Sequence, residues 1–328
     1  MEIRHKNTAS VPGSKDRFAE FCRETYVPLH LQPWWLDAVC GAERWNVAVA
    51  TDGRGHATGV LPYFLLRRWG LRVVQMPPYT TYAGPWLRYP DDGVWPAYRR
   101  ISFEQQTVSA LIEQMPRTAF WMQQFRPEVH CWLPFYWTGY RQTTRYTYVL
   151  PAPVGWAAFY AGLKDNMRTE LRKAEEHATI GWEADAGLAY QLNRQSFARK
   201  GQRMPYSWEP LDRLHQALAA RGQSAVLAAR NRDSGAAMAA LYLAFDHRQA
   251  AVLLTGLDPA FRHTGALHGL YAAAVRFCID RGLSLDFEGS MQAGIERVFR
   301  AFGGQPTPYS RVWRAGNRWL DLLYRPSA

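Results

Sequence analysis

Between residues 224 and 257 the hydrophobic positions fall in three short runs, SAVLAAR (224–230), AAMAALYLAF (236–245) and AAVLLTGL (250–257). The polar segments NRDSG and DHRQ separate them. Apolar runs of strand length bounded by turn residues predict three consecutive strands joined by hairpins. Ahead of them, helical spacing predicts helices over GWAAFYAGL (155–163) and NMRTELRKAEEHA (166–178), a strand over IGWEADA (180–186), and helices over 189–201 and 209–222. Behind them the pattern alternates: a helix over 265–282, a strand LSLDF (283–287), a helix over 293–304, and strands over YSRVWRAG (309–316) and RWLDLLYR (318–325).

The first 150 residues also read as mixed α/β. Helices are expected within NTASVPGSKDRFAEFCRE and PWWLDAVCG, the second stopped by Gly41. A hairpin is expected over 44–67, around the glycine-bearing turn of VATDGRGHATG. LRVVQMPPYTTYAGPWL (71–87) is a strand entering a Pro- and Tyr-rich loop, followed by a helix over 95–115 and a strand over 117–125. TTRYTYVLPAP (143–153) alternates and ends in two prolines, so a domain boundary is placed there, giving domains 1–150 and 151–328. A chain of 328 residues suits two domains, each able to bury a core.

Charge narrows the partners. Lys and Arg number 39 against 28 Asp and Glu, a net charge of +11, so the surface should attract anions such as nucleic acid, anionic lipid or phosphate-bearing molecules. The basic residues form no long block; the richest stretches are LRRWGLR (66–72) and RTELRK (168–173). The four cysteines show no CxxC pairing and imply neither a zinc site nor a disulfide framework. No metal site is expected. The N-terminus lacks a signal-peptide core and no run is long enough to span a bilayer, which places the expected location in the cytoplasm. GxSxG, P-loop, complete GxGxxG and HExxH motifs are absent, against serine hydrolases, nucleotide hydrolases, Rossmann dehydrogenases and zincins.

Four features could carry chemistry. In SLDFEG, Asp286 and Glu288 would share one strand face roughly 6 to 7 Å apart, suited to holding an amine and accepting its proton. Gly289 and Ser290 would leave backbone N–H groups free beyond the strand. The same carboxylates also suit a solvated strand end and a partner for an arginine. Lys164, Arg168 and Arg172 crowd the start of a helix capped by Asp165, a place for a phosphate or equally a solvated face. In LLTGLDPAFRHTGAL, Gly256 suggests a bulge, and Arg262 and Gly265 lead into a helix N-terminus able to cradle a pyrophosphate. Trp35, Tyr79 and Tyr82, set among prolines, could wall a substrate pocket or pack beneath a loop. Together these lead to the expectation that the acidic pair and the cationic helix start line one groove.

The stretch LSLDFEGSMQAGIERVFRAFGGQPTPY, with NMRTELRKA, LLTGLDPAFRHTGALHGLYAAA, QPWWLDAVCG and QMPPYTTYAGP, resembles FemAB-like proteins of the GNAT acyltransferase superfamily. The resemblance implies two GNAT-like domains side by side, each a mixed, mostly antiparallel sheet flanked by helices. It implies transfer of an acyl or aminoacyl group onto an amine of a small-molecule or cell-envelope precursor. The donor would be acyl-CoA or aminoacyl-tRNA, with no tightly bound cofactor. Implied partners are a peptidoglycan-precursor-like substrate and possible tRNA, with possible peripheral membrane contact. Tyr309, in the closing P-Y element, joins the substrate-binding candidates. Arg262 and Gly265 fit the [Q/R]-x-x-G-x-[G/A] donor loop, whose last position here is Leu267. The alternative is a non-catalytic binding protein for RNA or an anionic envelope precursor, using the same positive cleft.

Overall fold

The computed structural model describes residues 13–90, 94–152, 155–289 and 291–324. They form two compact units: one comprises the chain up to Arg145 together with the segment from Pro308 onward, the other Tyr146–Thr307. Both are built on mixed, mostly antiparallel sheets with helices packed against them. The sequence places Pro308–Tyr324 with the second half, whereas these residues group with the first unit.

In the first unit, α1 (Ser14–Glu24) and α2 (Pro33–Cys40) precede β1 (Trp45–Thr51), β2 (Ala57–Arg68), β3 (Leu71–Gln75) and the short β4 (Trp86–Leu87). Then come α3 (Ala97–Glu113), β5 (Phe120–Gln124), α4 (Leu133–Trp137) and the start of β6 (Arg141–Leu150). The chain returns as β12 (Gln305–Ala315) and α11 (Arg318–Tyr324). The strand order is β1-β2-β3-β5-β12, antiparallel except for the β3–β5 pair. Aromatic residues close the core: Trp121 meets Phe135 at 5.7 Å and Tyr140 at 5.0 Å between ring centroids, offset or edge-on as their quadrupoles favour. The expected strand over 318–325 is instead α11. Asn317 accepts the Leu320 N–H through Oδ1 at 2.9 Å, an N-cap that starts a helix directly after a strand.

In the second unit, α5 (Trp156–Gly162) and α6 (Asp165–His177) lead to β7 (Ala178–Glu183), α7 (Gly187–Arg199) and α8 (Trp208–Ala219). The predicted meander follows as β8 (Ser224–Asn231), β9 (Ala237–Phe245) and β10 (Gln249–Leu257). After it come α9 (Ala266–Ile279), β11 (Ser284–Asp286) and α10 (Ala293–Ala301). The order is β6-β11-β10-β9-β8-β7, with β10–β11 the parallel pair. Alternate residues of β9 face opposite layers: Ala239, Leu241 and Leu243 share a core with Leu270, Ala274 and Val275 of α9, while the Tyr242 hydroxyl reaches His215 of α8 at 3.0 Å. Burial on both faces explains why these strands read as nearly continuous apolar runs.

The bulge expected at Gly256 lies elsewhere. Gly256 pairs regularly with Ala240, and the register of β10 on β9 slips between Val252 and Leu254, leaving Leu253 as the extra residue. Gly256 is needed for another reason: a Cβ there would sit 2.4 Å from Leu192 Cβ and 2.5 Å from the Asn193 nitrogen, where α7 crosses the strand. Gly256→Ala should therefore lower the unfolding free energy by about 1–3 kcal/mol, the usual range for overpacking. Gly181→Ala, with no atom in the way, should stay within about 0.5 kcal/mol of the parent. Urea unfolding of the two variants checks both.

Candidate functional site

The parallel pairing of β10 and β11 lasts three residues, Gln249–Ser284, Ala250–Leu285 and Ala251–Asp286. Beyond it β10 continues through its bulge with no partner from β11, and the two chains part. A cavity of about 370 Å³ lies in the gap, bounded by Val252–Thr255 of β10, by Phe287, Glu288 and Gly289, and by Leu267 and Tyr271 of α9. Gly294, Ile295, Val298 and Phe299 of α10 and Asn193 of α7 complete the lining. Its walls are mostly apolar with a few placed polar groups, as small-molecule sites usually are.

Asp286 and Glu288 do not form the pair that strand periodicity suggested. The strand ends at Asp286, and Glu288 then adopts φ 52°, a left-handed conformation costly for a residue with a Cβ. Asp286 is only 2% exposed and acts on the backbone. Its Oδ1 accepts from Thr147 Oγ1 at 2.5 Å and from the Glu288 N–H at 2.8 Å. Gly289, also left-handed at φ 50°, lies where a Cβ would meet the Tyr146 carbonyl at 2.6 Å. Asp286 and Gly289 thus clamp the turn against β6 while Glu288 lines the cavity. Ser290 lies outside the described residues.

Tyr271, not singled out by the sequence, is the other ionisable group in the lining. Burial raises its phenol to about 12, partly opposed by a hydrogen bond from Thr255, so it keeps its proton at neutral pH and can donate it. Asn193 Nδ2 donates to the Thr255 carbonyl at 2.7 Å and holds the far end of β10. Periodicity sees Tyr271 only as one more apolar position of α9, and no local signal marks Leu253 as the bulged residue.

The basic candidates lie elsewhere. Arg168 is engaged by Asp165 at 2.5 Å and by the Ala161 carbonyl at 3.2 Å, and Arg172 bonds Thr169 at 3.1 Å. Lys164 is the exposed residue preceding α6. Arg262 contacts its neighbour His263 at 3.0 Å. None of these four cations lines the cavity that Glu288 borders. Gly265, at φ 72°, allows α9 to start against α6, where a Cβ would fall 2.2 Å from the Glu170 carbonyl oxygen. In the first unit Trp35 is fully buried and its Nε1 donates to Thr80 Oγ1 at 2.9 Å. Tyr79 and Tyr82 are buried too, and Tyr82 meets Tyr309 edge-on at 5.3 Å. These aromatics pack as core, and Arg145 reaches the Tyr309 hydroxyl at 3.3 Å. Among the described residues no group of three His, Cys, Asp or Glu side chains is placed to hold a metal ion, and no helix is long and apolar enough to cross a membrane.

With this geometry in view, the likeness to known proteins is specific. Residues 161–294 match the family model described as an acetyltransferase (GNAT) domain. The fold is similar to that of FemX, at 12% identity and TM-score 0.63, over 91% of this chain and 95% of that one. It is similar to L-PGS from Bacillus licheniformis, at 10% identity and TM-score 0.54, over 96% of each chain. A tandem GNAT protein from the clavulanic acid biosynthesis pathway matches at 10% identity and TM-score 0.51, over 91% of this chain and 92% of that one. No curated protein sequence matches the chain. The GNAT domain match thus covers residues 161–294, and the fold over nearly the whole chain is like that of FemX and of the tandem GNAT protein.

Two outcomes follow from the turn and its surroundings. Thr147→Val removes a donor from the buried Asp286 carboxyl and should cost about 1–3 kcal/mol of stability in urea unfolding. His268, 3.7 Å from Glu170, is held below its ordinary value of 6.5 by burial, with Glu170 acting upward and Lys173 downward. The unfolded chain then takes up this proton before the folded one, so stability falls as pH drops below about 6.5. His268→Gln should shrink that loss, read from unfolding midpoints across pH.

Proposed function

We propose that the cavity beside β10 is where an amine is acylated, and that Glu288 accepts the proton the amine gives up. The observation that carries this reading is the placement of Glu288, in a strained conformation, opposite the bulged backbone of β10 in a largely apolar cavity. The nitrogen lone pair attacks the acyl carbon and the carbonyl oxygen becomes an oxyanion, which a backbone N–H of the bulge stabilises. The nitrogen passes its proton to Glu288. Collapse of the intermediate breaks the bond to the donor's oxygen or sulfur, and that leaving atom takes a proton from Tyr271; solvent then returns a proton to Tyr271 and takes the one held by Glu288, which closes the cycle. Asp286 and Thr147 are positioning residues.

The donor is an acyl-CoA or an aminoacyl-tRNA, and the acceptor an amine on a small-molecule or cell-envelope precursor. The GNAT match and the likeness to FemX and L-PGS support group transfer of this kind. The apolar lining supports a donor whose reacting end enters as an uncharged thioester or ester, leaving its phosphates outside the cavity. Lys164, Arg168, Arg172 and Arg262 then remain contacts for those phosphates, beyond the reacting centre.

Glu288→Gln keeps the size and backbone preference of the side chain and removes only its ability to take a proton. It should lower kcat about 10²- to 10⁴-fold with an unchanged melting temperature. Thiol release from a panel of acyl-CoAs and transfer from charged tRNA are the two assays. Full turnover by the variant would remove Glu288 from the chemistry, and no turnover of either donor by the parent chain would leave only binding.

A further inference from the structure

The chemistry in the second unit leaves LRRWGLR unexplained. In the first unit this stretch is the turn between β2 and β3, and it is built against ordinary preference. Arg67 and Arg72 face each other directly in the register, where like charges repel. Trp69 takes the left-handed conformation at φ 51°, a place suited to Asn or Gly, and the residue is 72% exposed with Arg68 over its ring at 4.8 Å. Neither choice serves folding.

The sheet sets a second group beside this turn. The Ala119 N–H donates to the Arg72 carbonyl and the Gly316 N–H to the Ala119 carbonyl, each at 2.8 Å. The start of β3, the start of β5 and the end of β12 are therefore level at one end of the sheet. The exposed Arg117 precedes Ala119. Just after Gly316, α11 presents Trp319 at 77% and Leu322 at 65% exposure, three residues apart on one helix face. Asp321 of that helix is occupied by Arg141 at 2.6 Å and by Trp313 at 3.1 Å.

We infer that this end of the first unit's sheet docks on an anionic phospholipid surface. Trp69 and Trp319, with Leu71 and Leu322, enter the headgroup boundary, where amphipathic rings settle. Arg67, Arg72 and Arg117 meet lipid phosphates, each basic residue adding to attraction for an anionic bilayer. Charge complementarity and the aliphatic leucines favour lipid over nucleic acid, because a base stacks on rings and gains little from isolated leucines. The inference stands apart from the acyl-transfer reading and can fail without it.

Co-sedimentation of the full chain with phosphatidylcholine vesicles, with and without phosphatidylglycerol, tests it. The chain should partition onto the vesicles containing phosphatidylglycerol and release them as salt rises. Reversing Arg67 and Arg72 together to Glu should lower partitioning about tenfold or more. Trp69→Asn should lower it several-fold while leaving the melting temperature equal or higher, since Asn tolerates the left-handed turn. No sedimentation, equal sedimentation on both vesicle types, or variants that bind like the parent would overturn the inference. Loss of binding to a short single-stranded RNA in the Arg variant, without vesicle binding by the parent, would overturn it in favour of nucleic acid.

Discussion

The Asp286 carboxyl is almost wholly removed from water, and a polar group in that position is tolerated only with donors around it. Two are supplied from opposite directions, the Thr147 hydroxyl on the neighbouring strand and the Glu288 N–H two residues onward. Satisfying both bends the chain out of the strand as soon as Asp286 has paired. The parallel ladder therefore stops after three residues, and the gap beside β10 exists because the ladder stops. Glu288 reaches the cavity because the same bend carries it there.

Small residues then decide what can come close. Gly256 lets α7 cross β10, Gly265 lets α9 begin against α6, and Gly289 lets the turn lie on β6. Each contact brings backbone to backbone at a separation that a methyl group would prevent. The result is a cavity whose walls come from four helices and strands distant in sequence, with one carboxylate and one protonated phenol among apolar side chains. Such a setting strengthens each polar interaction made inside it.

The first unit uses its aromatic wealth differently. Trp35, Tyr82, Trp121 and Phe135 lie inside, where rings meet edge-on or tilted, so Tyr79 and Tyr82 of the Pro- and Tyr-rich loop serve as core and not as an open wall. The exposed tryptophans at the end of the sheet, by contrast, add nothing to that core. The same residue type thus serves two purposes, and burial alone separates them.

Much of the fold was legible from pattern. The meander over 224–257, the helices before it and the alternation after it follow from apolar runs and turn chemistry, because hairpins and amphipathic helices are local in sequence. The resemblance to FemAB-like proteins rested on the D-F-E-G segment and its neighbours, and Glu288 does line the cavity. The rest depended on contacts between distant residues. Strand periodicity could not foresee that a threonine at 147 would end the strand at 286, or that Leu253 and not Gly256 would be the residue left out of the ladder. It could not tell that Arg168 would pair with Asp165 and stay out of the lining that holds Glu288. The terminal segment WLDLLY alternates well enough for a strand, and only the Asn317 cap made it a helix. Local spacing determined which elements form and which faces are apolar. Tertiary structure alone decided which polar groups share a cavity, since that depends on hydrogen bonds and close approaches between residues far apart in sequence, 139 positions for Thr147 and Asp286.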